Sequence, residues 1–199
     1  VADSGQCRDL VAQAVAGFGG VDVLLNNVGI QPVHSYLRAH EFPEEMWDRI
    51  LDVNLKSHFL MAKYCIPEML ARGGGVILNV ASVQGLQSAP LVPAYAASKG
   101  GVLSLTRQLA LDYGADGIRV LAICPGCIET PMLREAIEFS GVDPEASRKS
   151  MKAMHPIGRI GTPEDVAGAM LFLAGSRASF MTGEAVCVDG GLMAKGAWA

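Results

Sequence analysis

The chain has 199 residues, of which 50% are hydrophobic and 18% charged, and this composition predicts one compact globular domain over residues 1–199 rather than a disordered chain. Its 16 basic and 20 acidic residues give a net charge of −4 without any Lys/Arg cluster, which excludes nucleic acid as a partner. No apolar stretch reaches the roughly 18 residues of a membrane span, so the sequence predicts a soluble, cytoplasmic protein with no membrane partner.

The first half of the chain alternates helix and strand signals. Apolar residues at helical spacing predict a helix from Asp3 to Phe18, and a short β-branched run predicts a buried strand from Val21 to Leu25. After a loop through Pro43, a broad apolar face predicts one long helix from Glu44 to Ala71, which Pro67 can kink.

The second half continues the alternation. Its predicted elements are a strand within residues 73–82, a helix from Ala94 to Tyr113, a strand from Ile118 to Ile123, an irregular helical region from Pro131 to Met154, a helix from Pro163 to Ala174 capped by Thr162, and a strand from Glu184 to Val188. Strands separated by helices pair in parallel through right-handed crossovers, so we predict an α/β fold with a doubly wound parallel sheet.

Polar side chains follow three of the predicted strands. Asn27, Ser82 and the pair Pro125-Gly126 each stand where a strand ends, and parallel pairing brings such positions to one edge of the sheet. His34 and His155 are interpreted as polar loop residues rather than catalysts. We therefore expect ligand chemistry at the carboxyl edge.

Tyr95 and Lys99 are four residues apart on one predicted helix and so share a face. A phenol with a pKa of about 10 is a poor base at neutral pH, and lowering that pKa by about 3 units requires about 4 kcal/mol. One cation at about 4 Å and an effective dielectric constant of about 20 supplies that energy. We predict that Lys99 lowers the pKa of Tyr95 and makes it a working acid/base.

Two further side chains belong to this hypothesis. The hydroxyl of Ser82, 13 residues before Tyr95 in the sequence, can share hydrogen bonding to a substrate oxygen with the phenol. Asn54 lies among apolar residues of the long helix, where an amide needs hydrogen-bond partners. The residues alone leave two interpretations of Asn54 open: a buried structural amide, or a bridge that connects Lys99 to solvent.

Together these residues resemble the short-chain dehydrogenase/reductase family, whose active-site tetrad of Asn, Ser, Tyr and Lys corresponds to Asn54, Ser82, Tyr95 and Lys99. Asn26-Asn27-Val28-Gly29 is similar to the family's NNAG turn, and Pro125-Gly126 with Thr130 to its PG loop. Residues 158–165 and 182–191 are similar to its C-terminal part, especially in 3-oxoacyl-carrier-protein reductases and bacterial sugar or alcohol dehydrogenases.

The resemblance implies an NAD(P)-dependent oxidoreductase that interconverts a secondary alcohol and a ketone. It implies that Tyr95 is the general acid/base, that Lys99 binds the nicotinamide ribose, and that Ser82 orients the substrate. The residues that the resemblance places at NAD or NADP are Asn27, Gly29, Tyr95, Lys99, Pro125, Gly126, Ile128 and Thr130. Substrate contacts are expected from Ser82, Gln84 and Tyr95, with further lining from residues 31–36, 87–92 and the region after Met132.

The family's first strands and its glycine-rich TGxxxGxG turn have no counterpart in the 199 residues. We therefore expect the C-terminal portion of a longer protein, with an exposed strand edge ending at Leu25 and an exposed apolar face on the helix from Asp3 to Phe18. Such a chain is expected to bind dinucleotide poorly and to aggregate.

The expected pocket has no evident carboxylate or arginine clamp, which favours a neutral hydroxyl or carbonyl compound of medium size. The resemblance implies a homotetramer, with the small residues Ala96, Ala97, Gly100, Gly101 and Ser104 either at an interface or packed against the chain's own sheet. The main alternative is a catalytically silent dinucleotide-fold protein used for binding or assembly.

The cysteines supply one further alternative. The 5 cysteines are scattered, which argues against a disulfide framework and for a reducing compartment. Cys124 and Cys127 have the CxxC spacing of redox dithiols and of half a zinc site. No second such pair follows, so a thiol oxidoreductase stays an alternative, and no metal site is predicted.

Overall fold

The computed structural model describes residues 1–195 and contains a four-stranded parallel sheet. The strands are β1 (Val23–Asn26), β2 (Gly75–Val80), β3 (Ile118–Pro125) and β4 (Ala185–Val188), and they lie side by side in that order. All three pairings are parallel. The register aligns Asn26 with Asn79 and Asn79 with Ala122, so the carboxyl ends of the strands form one edge as predicted.

Seven α-helices connect or follow these strands within residues 1–195. They are α1 (Ser4–Phe18), α2 (Glu44–Leu51), α3 (Ser57–Ala71), α4 (Pro93–Tyr113), α5 (Pro131–Phe139), α6 (Pro144–Met154) and α7 (Pro163–Ala174). Most bounds lie within two residues of the predicted ones. The region from Pro131 to Met154, predicted as one irregular helical stretch, is two separate helices, because Gly141 adopts a left-handed φ of 69° between them.

The helices cover both faces of the sheet. Along β3, Val120 packs in a core with residues of α1, α3 and α4, whereas its neighbours Leu121 and Ile123 pack in a second core with Val166 and Leu173 of α7. Successive side chains of a strand point to opposite faces, so α3 and α4 lie on one face and α7 on the other. This is the doubly wound arrangement that the sequence predicts.

A π-helical turn interrupts the predicted long helix from Glu44 to Ala71. Residues Asp52–Lys56 form this turn between α2 and α3, with Asn54 at its centre. Pro67 lies inside α3 and does not end it. Insertion of a π turn shifts the side chains that follow it by one position, which allows Asn54 to face the interior while the flanking helices keep their own buried faces.

Apolar side chains are exposed along β1 and α1. Strand β1 is one of the two outer strands of the sheet, with Val23 42% and Leu25 49% exposed, and on α1 Leu10 is 52% and Phe18 88% exposed. These are the edge and the helix face that the sequence predicts to be uncovered.

Candidate active site

Ser82 stands two residues beyond β2, at the carboxyl edge of the sheet. It is 8% exposed, and its hydroxyl oxygen accepts a hydrogen bond from the backbone N–H of Gln84 at 3.1 Å. Gly85 completes this short turn, and a Cβ there would lie 2.8 Å from the backbone carbonyl carbon of Lys99. The absence of a side chain at Gly85 therefore lets the Ser82 turn pack directly on α4, close to Tyr95 and Lys99.

Lys99 is almost completely buried beneath this turn. The residue is 3% exposed, and its Nζ donates a hydrogen bond to the backbone carbonyl of Val80 at 2.8 Å. The same Nζ lies 5.6 Å from the centre of the Tyr95 ring, so the two side chains share one face of α4 as the spacing predicts. The ammonium is thus anchored to the end of β2, beside Tyr95.

The predicted lowering of the Tyr95 pKa is wrong for this structure. Burial raises the pKa of Tyr95 to about 12, the Ser82 hydroxyl lowers it in part, and the nearby Tyr36 raises it further. Burial also lowers the pKa of Lys99 to about 8, partly opposed by Cys124. The simple Coulomb argument omitted the loss of hydration of both groups, which is the largest cause of the pKa shift of each residue here.

Asn54 is fully buried and holds the loop that follows β1. Its Oδ1 accepts a hydrogen bond from Ile30 N at 2.7 Å, and its Nδ2 donates to Ile30 O at 2.9 Å and to Ser98 Oγ at 3.2 Å. It does not bond directly to Lys99. The two side chains instead meet at Gly29, where a Cβ would lie 3.3 Å from Lys99 Nζ and 3.6 Å from Asn54 Oδ1.

The Pro-Gly loop follows β3 at the same edge. Gly126 N donates to Val188 O at 3.1 Å, and Ile128 forms an isolated parallel bridge with Gly161. Thr130 caps α5, because its side-chain oxygen accepts a hydrogen bond from Leu133 N at 3.4 Å. The cap uses one acceptor lone pair of the Thr130 hydroxyl and leaves its O–H free to donate, so it does not exclude the predicted role at the nicotinamide. Asn27, after β1, is exposed at the edge.

Two residues near the site, Tyr36 and His155, make contacts that the sequence did not predict. Tyr36, grouped only with a pocket-lining segment, lies close enough to Tyr95 for their charges to interact, and its own pKa is raised by burial. His155, interpreted as a polar loop residue, is 3% exposed and hydrogen-bonded at both ring nitrogens. Neither has a sequence neighbour that would have singled it out.

The segments predicted to line the substrate contain amides and aromatic groups. Gln31 is 9% exposed, and both its Nε2 and the Oε1 of Gln84 are buried without a hydrogen-bond partner in the part of the chain that the structure describes. The His34 ring meets Phe139 of α5 edge-on, with ring centres 5.3 Å apart. The loop after β1 and the helices after β3 therefore touch over this end of the sheet.

The two cysteines of the CxxC pair lie in different environments. All 5 cysteines are free thiols, Cys124 is buried in the core, and Cys127 is half-buried. Burial raises the pKa of both thiols, to about 12 at Cys124, which works against thiolate chemistry.

Within residues 1–195 no three His, Cys, Asp or Glu side chains are grouped closely enough to hold a metal ion. In the same residues, no helix is both long and apolar enough to pass through a bilayer.

The parallel sheet with these side chains at its carboxyl edge defines the class of dinucleotide-binding α/β proteins. Residues 1–193 match the family described as "Enoyl-(Acyl carrier protein) reductase". The chain is 42% identical over 190 residues to the 2-(R)-hydroxypropyl-CoM dehydrogenase of Xanthobacter autotrophicus, covering 96% of this chain and 74% of that protein.

Solved structures agree with the sequence relatives. Aldohexose dehydrogenase of Thermoplasma acidophilum superposes with a TM-score of 0.93 at 36% identity, covering 98% of this chain and 77% of that one. ElxO with NADP bound has a TM-score of 0.88 at 30% identity, covering 98% and 76%. The chain belongs to the short-chain dehydrogenase/reductase family of NAD(P)-dependent oxidoreductases that interconvert alcohols and ketones. The predicted fold class, enzyme class and cofactor type are therefore confirmed.

Proposed function

We propose that this chain oxidises a secondary alcohol, or reduces the corresponding ketone, at a centre formed by Asn54, Ser82, Tyr95 and Lys99. The observation that carries the proposal is the buried ammonium of Lys99. Among the described residues its Nζ donates to one acceptor, Val80 O, so the other N–H groups of the ammonium can donate to a ligand. A buried cation in this state is suited to hold a polar ligand next to the phenol of Tyr95.

The same surroundings fit NAD(P). Because Gly29 has no side chain, the space within 3.3 Å of Lys99 Nζ stays open where a Cβ would fill it, and a ribose diol could accept hydrogen bonds there. The residues proposed to hold the cofactor are Asn27, Gly29, Tyr95 and Lys99, together with the loop residues Pro125, Gly126, Ile128 and Thr130. When bound, the nicotinamide ring accepts or supplies the hydride.

The protein's own groups then handle the substrate oxygen and its proton. With a pKa of about 12, Tyr95 is a neutral phenol at neutral pH, so it can donate a proton to the oxygen of a ketone undergoing reduction. The Ser82 hydroxyl supplies a second hydrogen bond to that oxygen. Asn54 fixes the backbone at Ile30, and Lys99 provides positive charge beside the phenol.

The substrate is proposed to be a neutral, medium-sized hydroxyl or carbonyl compound. Gln31, Tyr36 and Gln84 of the predicted lining contribute amide and hydroxyl groups, and none of the three carries charge at neutral pH. Such a lining suits hydrogen bonding to uncharged oxygen atoms better than binding of a carboxylate.

Replacement of Tyr95 by Phe tests the proposed centre. In a chain that also carries the family's glycine-rich turn, we expect Tyr95→Phe to reduce turnover of secondary alcohols and ketones by about 100-fold or more, because the proton donor is removed. NAD(P)H affinity should fall by no more than about tenfold, the effect of the one hydrogen bond that Tyr95 gives the cofactor. Tyr113→Phe, at the other end of α4, is the matched control and should keep full turnover. Unchanged turnover in Tyr95→Phe would exclude this mechanism.

The two alternatives give different results in the same assays. A silent binding protein would bind NAD(P)H without turnover of any alcohol or ketone in the panel. A thiol oxidoreductase would lose its activity on alkylation and would reduce insulin disulfides. We expect turnover that survives the exchange of Cys127 for Ser.

We also propose a homotetramer in the cytoplasm. Ala97, Ser104 and Leu111 are exposed along one side of α4, with Leu111 81% exposed, and such a stripe of small and apolar residues supports helix contact between subunits. Gly101 does not belong to it, because a Cβ there would meet Leu55 of the same chain at 2.6 Å. Light scattering on the wild type and on Leu111→Glu tests the assembly. The variant should have the lower molar mass, because the charged side chain disrupts the contact between subunits.

A further inference from the structure

The Pro-Gly loop, residues 125–130, is held in place by its neighbours through a small number of hydrogen bonds. Gly126 N donates to Val188 O, Cys127 O accepts from Gly161 N at 2.9 Å, and Glu129 N donates to Gly161 O at 2.9 Å. These are backbone contacts to β4 and to the segment before α7. The Cys127 N–H is different, because it donates to a side chain, the Nε2 of His155, at 3.2 Å.

The partners of His155 fix the protonation of its ring. Nδ1 lies 2.7 Å from the carbonyl oxygen of Met151, which can only accept, so Nδ1 carries the proton and donates. Nε2 faces the Cys127 N–H, which can only donate, so Nε2 is the acceptor. The ring is therefore neutral and connects the last turn of α6 to the loop.

His155 is also packed tightly against two glycine turns. A Cβ at Gly126 would lie 2.9 Å from His155 Nε2, and one at Gly190 would lie 3.4 Å from His155 Cβ. Ile157 N donates to Gly190 O at 3.1 Å, which fixes the next residues of the same segment. The imidazole thus fills the space between the Pro-Gly loop and the turn that follows β4, and it is 3% exposed.

A second contact joins α6 to the same loop. Arg148 of α6 forms a two-pronged ion pair with Glu129, in which the second prong, Nη2 to Oε1, measures 3.2 Å. Arg134 of α5 lies 3.5 Å from the same carboxylate. The loop is consequently attached to α6 at Cys127 and at Glu129, two residues apart.

We propose that His155 is a positioning residue for the cofactor: through the Cys127 N–H it fixes the Pro-Gly loop in the shape that binds the nicotinamide end of NAD(P). The inference rests on the proposed function of that loop. His155 touches no reacting atom. Its loss leaves a buried N–H without an acceptor, and the loop is expected to relieve this by moving toward solvent.

The test is a pair of substitutions that separate the two ring nitrogens. In His155→Asn the amide can still donate toward Met151 O, but no atom reaches the position of Nε2. In His155→Gln a polar atom reaches that position and can accept from Cys127 N–H. Affinity for NADH and NADPH is measured by fluorescence titration, and KM for cofactor and substrate and kcat by steady-state kinetics.

We expect His155→Asn to weaken cofactor binding about tenfold, the effect of losing one buried hydrogen bond. The KM of the cofactor rises with it, while the KM of the substrate and kcat at saturating cofactor change little. His155→Gln should remain within about twofold of the wild type. A merely structural role would lower the active fraction of both variants and leave the affinity of the folded fraction unchanged.

Other outcomes contradict the proposal in distinguishable ways. Equal cofactor affinity in both variants and the wild type overturns the role of His155 alone. Absence of both cofactor binding and turnover in a wild-type chain that also carries the family's glycine-rich turn overturns the proposed function, and this inference with it. If His155→Asn does not fold, Glu129→Gln loosens the second attachment at a half-exposed site, and unchanged cofactor affinity in that folded variant also counts against the proposal.

Discussion

The side-chain amide of Asn54 binds both polar backbone groups of Ile30, accepting from its N–H at 2.7 Å and donating to its C=O at 2.9 Å. One residue of the π turn therefore sets the path of the loop between Gly29 and Gln31. This loop reaches Lys99 at Gly29, so the geometry of the proposed cofactor site depends on an amide that is not itself next to the phenol.

Asn54→Ala removes these bonds and leaves Ile30 with two unsatisfied backbone groups. We expect it to lower the free energy of unfolding by about 1–3 kcal/mol and to reduce turnover as well, because the loop at Gly29 is released. Thr106→Val is the matched control, since it removes a buried partner of Asn79 seven residues beyond Lys99 on the same helix. Urea unfolding should show comparable losses in both variants, with turnover reduced only in Asn54→Ala. Equal turnover losses would mean that Asn54 acts through stability alone.

The pH dependence of catalysis should differ between the two directions of reaction. Reduction needs the protonated phenol of Tyr95, which a pKa of about 12 keeps protonated across the neutral range, so its kcat/KM should stay level there. Oxidation needs the phenolate, so its kcat/KM should rise with pH by up to about tenfold per pH unit. Steady-state kinetics in both directions on one preparation checks this. An oxidation rate that levels off near neutral pH would show that another group is the base.

Lys99 should give the fold a distinctive pH dependence. Its pKa is lowered from 10.5 to about 8 in the folded protein, so below about pH 8 the folded state must bury a charge that the unfolded chain exposes to water. As pH rises from about 8 to 10.5, the unfolded state binds more protons than the folded one, and the contribution of Lys99 to stability increases. This lowering of the pKa corresponds to about 3 kcal/mol, and leaving Val80 O without its donor costs about 1 kcal/mol of that. We therefore expect Lys99→Met to be the more stable form at neutral pH by about 2 kcal/mol, with the difference shrinking as pH rises.

Urea unfolding of the wild type and Lys99→Met across this pH range measures the difference directly. Groups that do not interact with Lys99 titrate alike in both proteins and cancel in the comparison. Cys124 and His58 do interact with Lys99, but their pKa values of about 12 and about 4 lie outside the pH range measured. A stability difference that does not change with pH would contradict the lowered pKa of Lys99.

Gly85 should tolerate no side chain. A Cβ would meet the backbone of Lys99 at 2.8 Å, and backbone cannot rotate away as a side chain can, so the turn that carries Ser82 must lift from α4. We expect Gly85→Ala to destabilise the fold by about 1–3 kcal/mol and to reduce turnover. Gly168→Ala is the control, because nothing lies within 4 Å of its added Cβ in α7, and it should be neutral or stabilising by up to about 1 kcal/mol. Full turnover in Gly85→Ala would show that the turn adjusts without moving Ser82.

Much of the fold could be predicted because its hydrophobic pattern is strong and local. The apolar run at Ile118–Ile123 is buried on both faces, as a central parallel strand requires, and Thr162, Pro163 and Asp165 mark the start of α7, where the structure has a capping box. The parallel order then brings the ends of β1, β2 and β3 to one edge. The positions of Ser82, Tyr95 and Lys99 follow from that edge and from helical spacing, while their catalytic roles stay predictions.

Other features depend on tertiary packing and left no pattern to read. The pKa of Tyr95 is set by how deeply the phenol is buried, which neither the YxxxK spacing nor a Coulomb estimate contains. His155 is a lone histidine in sequence, and its partners Met151 and Cys127 come together only when α6 folds beside the loop. The π turn is a change in hydrogen-bonding pattern within an otherwise continuous apolar face, so the periodicity gave one helix.

This π turn also constrains the length of the chain. In a regular helix each residue advances the side-chain direction by about 100°, so removing one residue between Asp52 and Lys56 would rotate all of α3 relative to α2 by about that angle. Ile50 and Met69, both completely buried on either side of the turn, could then not face the interior together. Substitutions within this turn therefore leave the side-chain directions of α3 unchanged. A single insertion or deletion instead rotates every side chain from the turn to the end of α3 about the helix axis.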